Sequence, residues 1–483
     1  MPRSDDHRLG DVQWLPGGNG SGLLLCLIML LGVGLRTYRL DYQSLWTDEV
    51  YSLIVTDPTL MFREFWDRVL ADTHPPIYYL VLRLSSAVFG QSEMAARAPS
   101  VLFGVLTLCV AVIVPGALSA RSRLVFLLLL TISPGAVWYA REARSYALLL
   151  LLSAVITLTC TSFVQCTHSE DRKARTAFGM LITASVLASF THYFGFLLAV
   201  SAFLACFLLT EKRRQVTVVF GACCITVCVL PWIAYQSQTI DPQRAAWIGE
   251  LSFVASLRWF EYLTFGGTVS VILFVATAVI LLATGGWPRP AASNSTLWAC
   301  AFLCLATLAS ASLVSLRTPI LTSRNMIVVL PALYLIAAQM TTSLVRRWGI
   351  VAGASYLAVQ IGLMGQPVAA YYTSVINEQW RDSAALVIRT PGCQSAAVHV
   401  YGDASLYRFF TKWVRPDLDL IDIPEGAAAD LSNLPLSTCP ILLWIVGVPE
   451  WDLDDLFSKL GVSRASVEIA AFHKAFVISR KEL

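Results

Sequence analysis

The chain has 483 residues, of which 56% are hydrophobic and only 14% are charged. A soluble domain usually carries about a quarter charged residues, so this composition excludes an ordinary soluble protein and predicts a polytopic membrane protein. The net charge of +3 is small and is spread along the chain, which speaks against a nucleic-acid partner.

Residues 1–21 are polar and rich in glycine, and they predict a cytoplasmic N-terminal tail. The apolar run that follows has no small-residue cleavage site, so it predicts an uncleaved first span rather than a signal peptide. Similar runs recur up to residue 370 and predict a transmembrane domain of about 11–13 helices. The predicted spans begin near Gly22, Pro75, Pro99, Leu124, Tyr146, Ala177, Phe194, Val216, Thr268, Leu297, Met326 and Ile350.

Basic clusters between these runs predict the orientation, because such loops resist translocation and stay in the cytoplasm. They lie at residues 121–123, 172–175, 212–214, 289 and 346–347. If successive loops alternate between the two sides of the membrane, these clusters place Arg141, the loop 236–262 and everything after Gln366 on the outer side. Counting spans from the N-terminus instead places Asp48 outside but Arg141 inside. One apolar run between Asp48 and Arg141 is therefore not a simple crossing, and the breaks at 97–99 and 133–135 are the candidate positions.

The first outer loop, residues 37–74, contains the adjacent carboxylates Asp48 and Glu49. Ionisable groups beside a membrane span are costly to keep without a role. Aromatic residues in the same loop suit an amphipathic helix that lies among the lipid headgroups. The alternative is an ordinary acidic loop outside the membrane, and composition alone does not separate the two.

The predicted orientation brings further polar groups to the face that holds the acidic pair. They are Arg141, Arg144, His192, Arg317 and Arg324. Guanidinium groups bind phosphate in a bidentate manner, and a carboxylate accepts a proton from a hydroxyl. Together they suit transfer from a phosphate-linked donor to an alcohol or amine. Each arginine is also compatible with simple snorkelling at the interface, and a lone histidine at the end of a span is compatible with a structural role.

The composition changes near residue 371, and residues 371–483 predict a small α/β domain outside the membrane. Buried strands are predicted at 396–401, 440–446 and 472–478, and an amphipathic helix at 452–460. No glycine-rich phosphate loop accompanies the strands, so a nucleotide site is not expected. Cys393 and Cys439 could form a disulfide if this domain is extracytoplasmic. The predicted fold class is thus a mainly α polytopic membrane protein with a small C-terminal α/β domain.

Several short motifs, taken in order, resemble those of membrane glycosyltransferases of the GT-C superfamily. The likeness is to the glycosyltransferase family 39 type, which includes protein O-mannosyltransferases and lipid A aminoarabinose transferases. The motifs are WTDEVYS at 46–52, HPPIYY at 74–79, FGQSE at 89–93 with Arg97, YAREARSY at 139–146, the segment 317–324, and EQWRD at 378–382. One departure is that Asn325 follows Arg324 where the family usually has tyrosine.

The resemblance implies an inverting transferase in the bacterial inner membrane, with its active site and C-terminal domain facing the periplasm. Its donor would be a sugar on a polyprenyl phosphate, and its acceptor a glycolipid, lipopolysaccharide, glycan or protein. Asp48 carries over as the general base and Glu49 as its neighbour. Arginines could stabilise the leaving phosphate without a metal. No cofactor is expected, and the need for a divalent metal is left open by the sequence. The implied phosphate ligands are Arg97, Arg141, Arg144 and Arg324, and the implied substrate-binding residues are Tyr51, His74, Tyr146, His192 and Arg317.

Other function classes remain open on the sequence. A transporter or flippase of lipid-linked sugars also carries charged residues among its spans, although no internal repeat is visible here. A non-catalytic scaffold is a further alternative, and among transferases so is an oligosaccharide ligase that uses a diphosphate-linked donor. The sugar and the acceptor are undetermined. The loop 236–262 and the C-terminal domain are the expected determinants of acceptor choice.

Overall fold

The computed structural model describes residues 19–114, 118–166, 171–239, 253–286, 291–318, 320–393, 396–412, 414–425, 431 and 439–481. Most of the predicted N-terminal tail, residues 240–252 of the predicted acceptor loop, and the basic position 289 lie outside the described residues. Within them, a helical membrane domain is followed by a small domain built on a five-stranded sheet. The predicted fold class is confirmed.

The helices of the membrane domain follow the predicted apolar runs. They are α1 (Asn19–Thr37), α2 (Thr47–Val55), α3 (Phe62–Ala71), α4 (Ile77–Phe89), α5 (Glu93–Ile113), α6 (Ala120–Ile132), α7 (Pro134–Tyr139), α8 (Tyr146–Gln165), α9 (Asp171–Ser189), α10 (Tyr193–Leu209), α11 (Lys212–Thr239), α12 (Phe253–Phe265), α13 (Thr268–Ala283), α14 (Ala291–Ser315), the 3-10 helix Asn325–Val329, α15 (Leu330–Trp348) and α16 (Ile350–Thr373). Helices α2 and α3 occupy the predicted first outer loop.

Within the described residues, five helices are long and apolar enough to cross a membrane by themselves. They are Glu93–Ile113, Tyr146–Gln165, Lys212–Thr239, Ser295–Ser315 and Asn325–Trp348. The pair Leu257–Phe265 and Thr268–Ala283 meets the same test only as one span bent by 76°. The expected 11–13 crossings therefore also depend on helices that are short, such as α6, or that begin with several charged residues, such as α9.

Helix α4 explains why the two ways of counting spans disagree. Just before it, Asp72 accepts a hydrogen bond from Tyr79, and just after it Gln91 donates to the carbonyl of Leu53 in α2. Arg83, within the helix, donates to the carbonyl of Asp57. The residues at both ends of α4, and Arg83 within it, are thus held against the first outer loop.

The apolar run that begins near Pro75 is therefore not a crossing, and its assignment as a span is wrong. Removing it leaves α5 and α6 as the crossings between the first outer loop and Arg141, so Asp48 and Arg141 lie on the same side of the membrane. The two candidate breaks differ. Helix α5 continues through Pro99, whereas Ser133 ends α6 and its hydroxyl accepts from the backbone N–H of Ala136 to start α7.

The C-terminal domain consists of helices packed on a mixed sheet. Its elements are α17 (Trp380–Arg389), β1 (Val398–Tyr401), α18 (Ala404–Thr411), β2 (Leu420–Ile423), β3 (Ile441–Val446), α19 (Leu453–Lys459), β4 (Val467–Phe472) and β5 (Ala475–Arg480). The strand order is β2-β1-β3-β5-β4, with β1 parallel to β2 and β3, and β5 antiparallel to β3 and β4. The central strand β3 is buried along its whole length, as its unbroken apolar sequence predicts.

This domain is docked on the first outer loop by several polar contacts. Arg381 donates to the carbonyl of Asp41 at 2.9 Å and forms an ion pair with Glu93. Lys412 lies 3.0 Å from the carboxylate of Asp57. Since Asp57 and Asp41 lie within the predicted loop 37–74, the domain and this loop are on the same side of the membrane.

Cys393 and Cys439 form a disulfide that closes a loop with a sequence separation of 46 residues. A disulfide restricts the unfolded chain, so we expect Cys439→Ala to destabilise the C-terminal domain by about 2–4 kcal/mol. The measurement is the rate at which protease cleaves this domain in the intact, membrane-embedded protein. Cys26→Ala, which changes an exposed cysteine of α1, is the matched control. Equal cleavage rates in both variants would contradict the prediction.

Candidate active site

Asp48 is the second residue of α2, a helix whose start is held by groups from elsewhere in the chain. The carboxylate of Glu378, just before α17, accepts hydrogen bonds from the backbone N–H and the hydroxyl of Thr47, both at 2.7 Å. A carboxylate at a helix N-terminus satisfies free N–H groups and complements the helix dipole. Glu378 therefore fixes the first turn of α2 and with it the position of Asp48.

One oxygen of Asp48 is bound by arginine, and the side chain remains 35% exposed. Arg324 donates to Oδ2 of Asp48 at 2.9 Å, across 276 residues of sequence, and its guanidinium lies 4.2 Å from the ring centroid of Trp46. Arg144 lies 3.9 Å from the same oxygen. The structure thus brings together the carboxylate and two of the predicted arginines in a position that solvent reaches.

Arg144 connects Asp48 to His74 and Asp72. It donates to the hydroxyl of Ser52 at 3.0 Å and lies 3.0 Å from Nε2 of His74. Because a guanidinium only donates, Nε2 accepts, and the proton of neutral His74 is on Nδ1, 3.1 Å from Asp72. Burial opposes ionisation of Asp72, but hydrogen bonds from His74 and Tyr79 and the charge of Arg144 hold its pKa well below its usual range.

Glu49 faces away from Asp48 and is fully buried. Its carboxylate accepts from Nε and Nη2 of Arg97, at 2.9 and 2.7 Å, and from the backbone N–H of Ala143 at 2.7 Å. Arg97 uses its remaining donors on backbone carbonyls of the first outer loop. The predicted catalytic role of Glu49 and the predicted phosphate contact of Arg97 are therefore corrected: both groups are fully engaged in a buried ion pair.

Arg141 also differs from its predicted role. Its guanidinium donates to the carbonyls of Tyr38, at 2.6 Å, and of Arg39, at 2.8 Å, just after the last turn of α1. It also packs against the rings of Tyr371 and Tyr372. A cation on the free carbonyls of a helix end is a capping interaction, so buried Arg141 anchors α1 and is not placed to contact a phosphate.

The predicted substrate-binding residues fall into two groups. The ring of Tyr146 lies 5.9 Å from that of His192, which in turn lies 5.8 Å from that of His74, so these three line one side of the cluster. Nδ1 of His192 accepts from the backbone N–H of Phe194, and burial, with the charges of His74 and Arg144, keeps its pKa well below the usual value. Tyr51 packs against an apolar cluster of α2 and α3, and Arg317 is exposed after α14.

A cavity of about 370 Å³ lies between the membrane domain and the C-terminal domain. Its lining includes Arg324, Glu142 and Glu378 together with the aromatic side chains Trp46, Trp138, Tyr139 and Trp259. Glu142, Glu378 and Asp72 were not assigned roles from the sequence, although the first two stand within recognised motifs. Among the described residues, no group of three or more His, Cys, Asp or Glu side chains is arranged to hold a metal ion.

Residues 73–235 match a protein family model described as dolichyl-phosphate-mannose-protein mannosyltransferase. No curated protein sequence matches the chain. The family match includes the motifs around His74 and Arg144 but not the segments of Asp48 and Arg324. It covers about a third of the chain.

Solved structures share the fold over nearly the whole chain. ArnT from Cupriavidus metallidurans bound to undecaprenyl phosphate matches with a TM-score of 0.53 and 14% identity, covering 95% of this chain and 97% of ArnT. The apo state of ArnT matches with a TM-score of 0.55. The archaeal oligosaccharyltransferase AglB from Archaeoglobus fulgidus, in complex with an inhibitory peptide and a dolichol-phosphate, matches with a TM-score of 0.51 and 10% identity, covering 91% of this chain and 68% of AglB. The fold that the resemblance implies is confirmed.

Proposed function

We propose that this chain, a polytopic membrane protein with the fold of ArnT and AglB, is an inverting glycosyltransferase. It transfers a sugar from a polyprenyl-phosphate donor to an acceptor outside the cytoplasm. The observation that carries the proposal is the pairing of half-exposed Asp48 with Arg324 at the rim of an aromatic cavity. The fold is shared with a protein whose structure holds undecaprenyl phosphate, which supports the choice of donor.

Asp48 acts as the general base. Arg324 and Arg144 lie on its Oδ2, so Oδ1 is the oxygen that accepts the proton of the acceptor hydroxyl. The acceptor oxygen forms a bond to the anomeric carbon as the bond from that carbon to the phosphate oxygen breaks. The electron pair of the broken bond leaves with the phosphate. Attack from the face opposite the phosphate inverts the anomeric centre.

Arg324 contacts the leaving phosphate. Its side chain is 34% exposed and uses one nitrogen on Asp48, so its other donors are available to an incoming anion. Arg144 is more deeply buried and is engaged by Ser52 and His74, so it orients Asp48 and adds positive charge nearby. Fixed guanidinium groups stabilise the negative charge that develops on the phosphate in the transition state.

The surroundings of the site suit a lipid-linked donor. An apolar groove of about 310 Å³ runs between α10 and α11, lined by side chains such as Phe196, Phe203 and Val219. Phe196 lies one helical turn after His192, whose ring neighbours His74. A polyprenyl chain in this groove would remain within the membrane while its phosphate reached the arginines. The disulfide of the C-terminal domain supports an oxidising, extracytoplasmic location for the site, as in a bacterial periplasm.

The test is to compare the membrane glycolipids, glycans and glycoproteins of cells with and without the chain. Loss of one sugar from one acceptor, with the polyprenyl-phosphate sugar accumulating on the outer side, supports the transferase. Accumulation of that donor on the cytoplasmic side would instead indicate a flippase. Accumulation of a diphosphate-linked oligosaccharide would indicate a ligase.

Arg324→Ala is expected to weaken binding of undecaprenyl phosphate about 10- to 100-fold, because charge-assisted hydrogen bonds contribute about 1.5–3 kcal/mol each. Binding is measured on the purified protein in lipid nanodiscs. Arg317→Ala is the matched control, since Arg317 is exposed on the same side and seven residues away in sequence. An equal loss of affinity in both variants would mean that Arg324 acts only through general charge.

A further inference from the structure

Within the described ranges of the chain, two side chains of the aromatic cavity carry buried polar atoms without a hydrogen-bond partner. They are the indole Nε1–H of Trp46 and the carboxylate oxygen Oε2 of Glu142, and both residues line the cavity. Leaving such atoms unpaired costs about 1–3 kcal/mol each. Atoms of this kind in a cavity are therefore candidates for contact with a bound molecule.

Glu142 is held in place on its other side. Its Oε1 accepts from the indole N–H of Trp138 at 2.7 Å, and the side chain is 5% exposed. Burial raises the pKa of Glu142 to about 7, the charge of Glu49 adds to this, and Arg324 and Arg144 oppose it. Within the part of the chain that the structure describes, the carboxyl group of Glu142 forms no direct ion pair that would draw it away from the cavity.

The two unpaired atoms have opposite hydrogen-bonding character. Trp46 Nε1 only donates, and ionised Glu142 Oε2 only accepts. An ammonium group would satisfy Glu142 but not Trp46, because it has no lone pair to accept with. A phosphate dianion would satisfy Trp46 but would meet the carboxylate with like charge. A hydroxyl group can accept from Trp46 or donate to Glu142, so a ligand with several hydroxyls can satisfy both atoms.

The rest of the lining indicates what carries this hydroxyl. Trp46, Trp138, Tyr139 and Trp259 present broad apolar surfaces around the pair of polar atoms. Pockets of this composition, mainly aromatic with a few placed polar groups, bind compact ligands with defined polar positions. A sugar ring combines apolar C–H faces with hydroxyls on its edge.

We infer that Trp46 and Glu142 form a subsite that recognises ring hydroxyls of a sugar, and that Glu142 is thereby a specificity-determining residue. The inference rests on the proposed function and deepens it, because it assigns the aromatic cavity to the sugar and leaves the phosphate to Arg324. The subsite discriminates against sugars that lack hydroxyls at these positions, since their binding would leave Trp46 Nε1 or Glu142 Oε2 unpaired. The sugar is that of the donor or that of the acceptor.

Three sets of probes are used. The first is undecaprenyl phosphate alone, and the second is undecaprenyl phosphate linked to mannose, glucose, galactose or arabinose. The third consists of the free methyl glycosides of the same four sugars, added to the complex with undecaprenyl phosphate. Affinities are measured on the full chain in nanodiscs. Trp46→Phe keeps the aromatic ring against Arg324 but removes the N–H, and Glu142→Leu removes the acceptor at similar volume. Trp298→Phe, an exposed position of α14, is the matched control.

In the wild type, at least one linked sugar or methyl glycoside is expected to bind with a preference over the others. Trp46→Phe and Glu142→Leu each reduce that preference about 10-fold or more, while affinity for undecaprenyl phosphate itself changes less than about threefold. Loss of preference among linked sugars assigns the subsite to the donor, and loss among methyl glycosides assigns it to the acceptor. An unchanged preference in both arms overturns the inference, as does a wild type without any preference.

Failure of the proposed function gives a different result. In that case undecaprenyl phosphate does not bind the wild type, and Arg324→Ala is without effect. Intact binding of undecaprenyl phosphate also shows that each variant is folded. A loss of both affinities together in Trp46→Phe or Glu142→Leu would assign these residues a structural role and overturn the subsite.

Discussion

Replacement of Asp48 by asparagine is expected to abolish sugar transfer while the protein remains folded and in the membrane. Asparagine keeps the shape of the side chain and a hydrogen-bond acceptor for Arg324, but it cannot take the acceptor's proton. General-base catalysis contributes about 10²–10⁴-fold to a rate, so the turnover number should fall by at least that range. The measurement is the initial rate of product formation with saturating donor and acceptor.

Asp67→Asn provides the matched control for this experiment. It is the same chemical change in the same outer loop, at an exposed position of α3. Its rate should equal that of the wild type. Binding of undecaprenyl phosphate should survive in Asp48→Asn, because Arg324 is retained. Wild-type turnover by Asp48→Asn would remove Asp48 from the mechanism.

Breaking the buried ion pair of Glu49 and Arg97 is expected to lower the stability of the folded protein. This differs from Asp48→Asn, which is expected to lose sugar transfer but to remain folded. Arg97→Leu would leave the Glu49 carboxylate buried with only backbone N–H partners, and removal of one member of a buried ion pair costs about 3–5 kcal/mol. The measurement is the midpoint temperature of detergent-solubilised protein and the yield of monodisperse protein. Both should fall well below those of Asp48→Asn.

The double variant Glu49→Leu/Arg97→Leu distinguishes a structural role of this ion pair from a catalytic role of its two residues. Removing both charges avoids an unpaired buried ion, so it should be less destabilised than the sum of the single variants. Glu49→Leu alone is the second arm of the cycle. If Arg97→Leu were as stable as the wild type but bound undecaprenyl phosphate poorly, Arg97 would be a phosphate ligand after all.

The different roles of Asp48 and Glu49 follow from their places on one helix. Successive side chains of an α-helix point about 100° apart, so two adjacent carboxylates cannot face the same surroundings. In α2, Asp48 faces Arg324, which lines the cavity, and Glu49 faces Arg97 in the core. Before the helix has a register against its neighbours, the two residues are equivalent, and only the family motif favoured Asp48.

The sequence likewise cannot tell the roles of the arginines apart. Arg97, Arg141, Arg144 and Arg324 are alike in sequence terms, since each lies near the outer end of an apolar run. The structure places the first two on backbone carbonyls or a buried carboxylate and the last two beside Asp48. An arginine's partners are set by which backbone groups remain free nearby, such as the last carbonyls of α1.

The sequence by itself determined those features that depend on local composition and periodicity. Unbroken apolar runs predicted the membrane helices and the apolar stretch at 440–446 predicted β3, because these signals act within one segment. The orientation that the basic clusters predict stays a prediction. Strands β2 and β4 were missed, since their alternation is weak and they are stabilised by their neighbours in the sheet.

Only the tertiary structure decided that α4 does not cross the membrane, that Glu378 holds the start of α2, and that Trp46 and Glu142 share one cavity. Each depends on contacts between residues that are far apart in sequence, and the free energy of such contacts is set by burial and geometry rather than by residue type. The motifs therefore showed which residue types could perform the chemistry. The tertiary structure decided which of these side chains remain available, because the others are already bound in buried contacts.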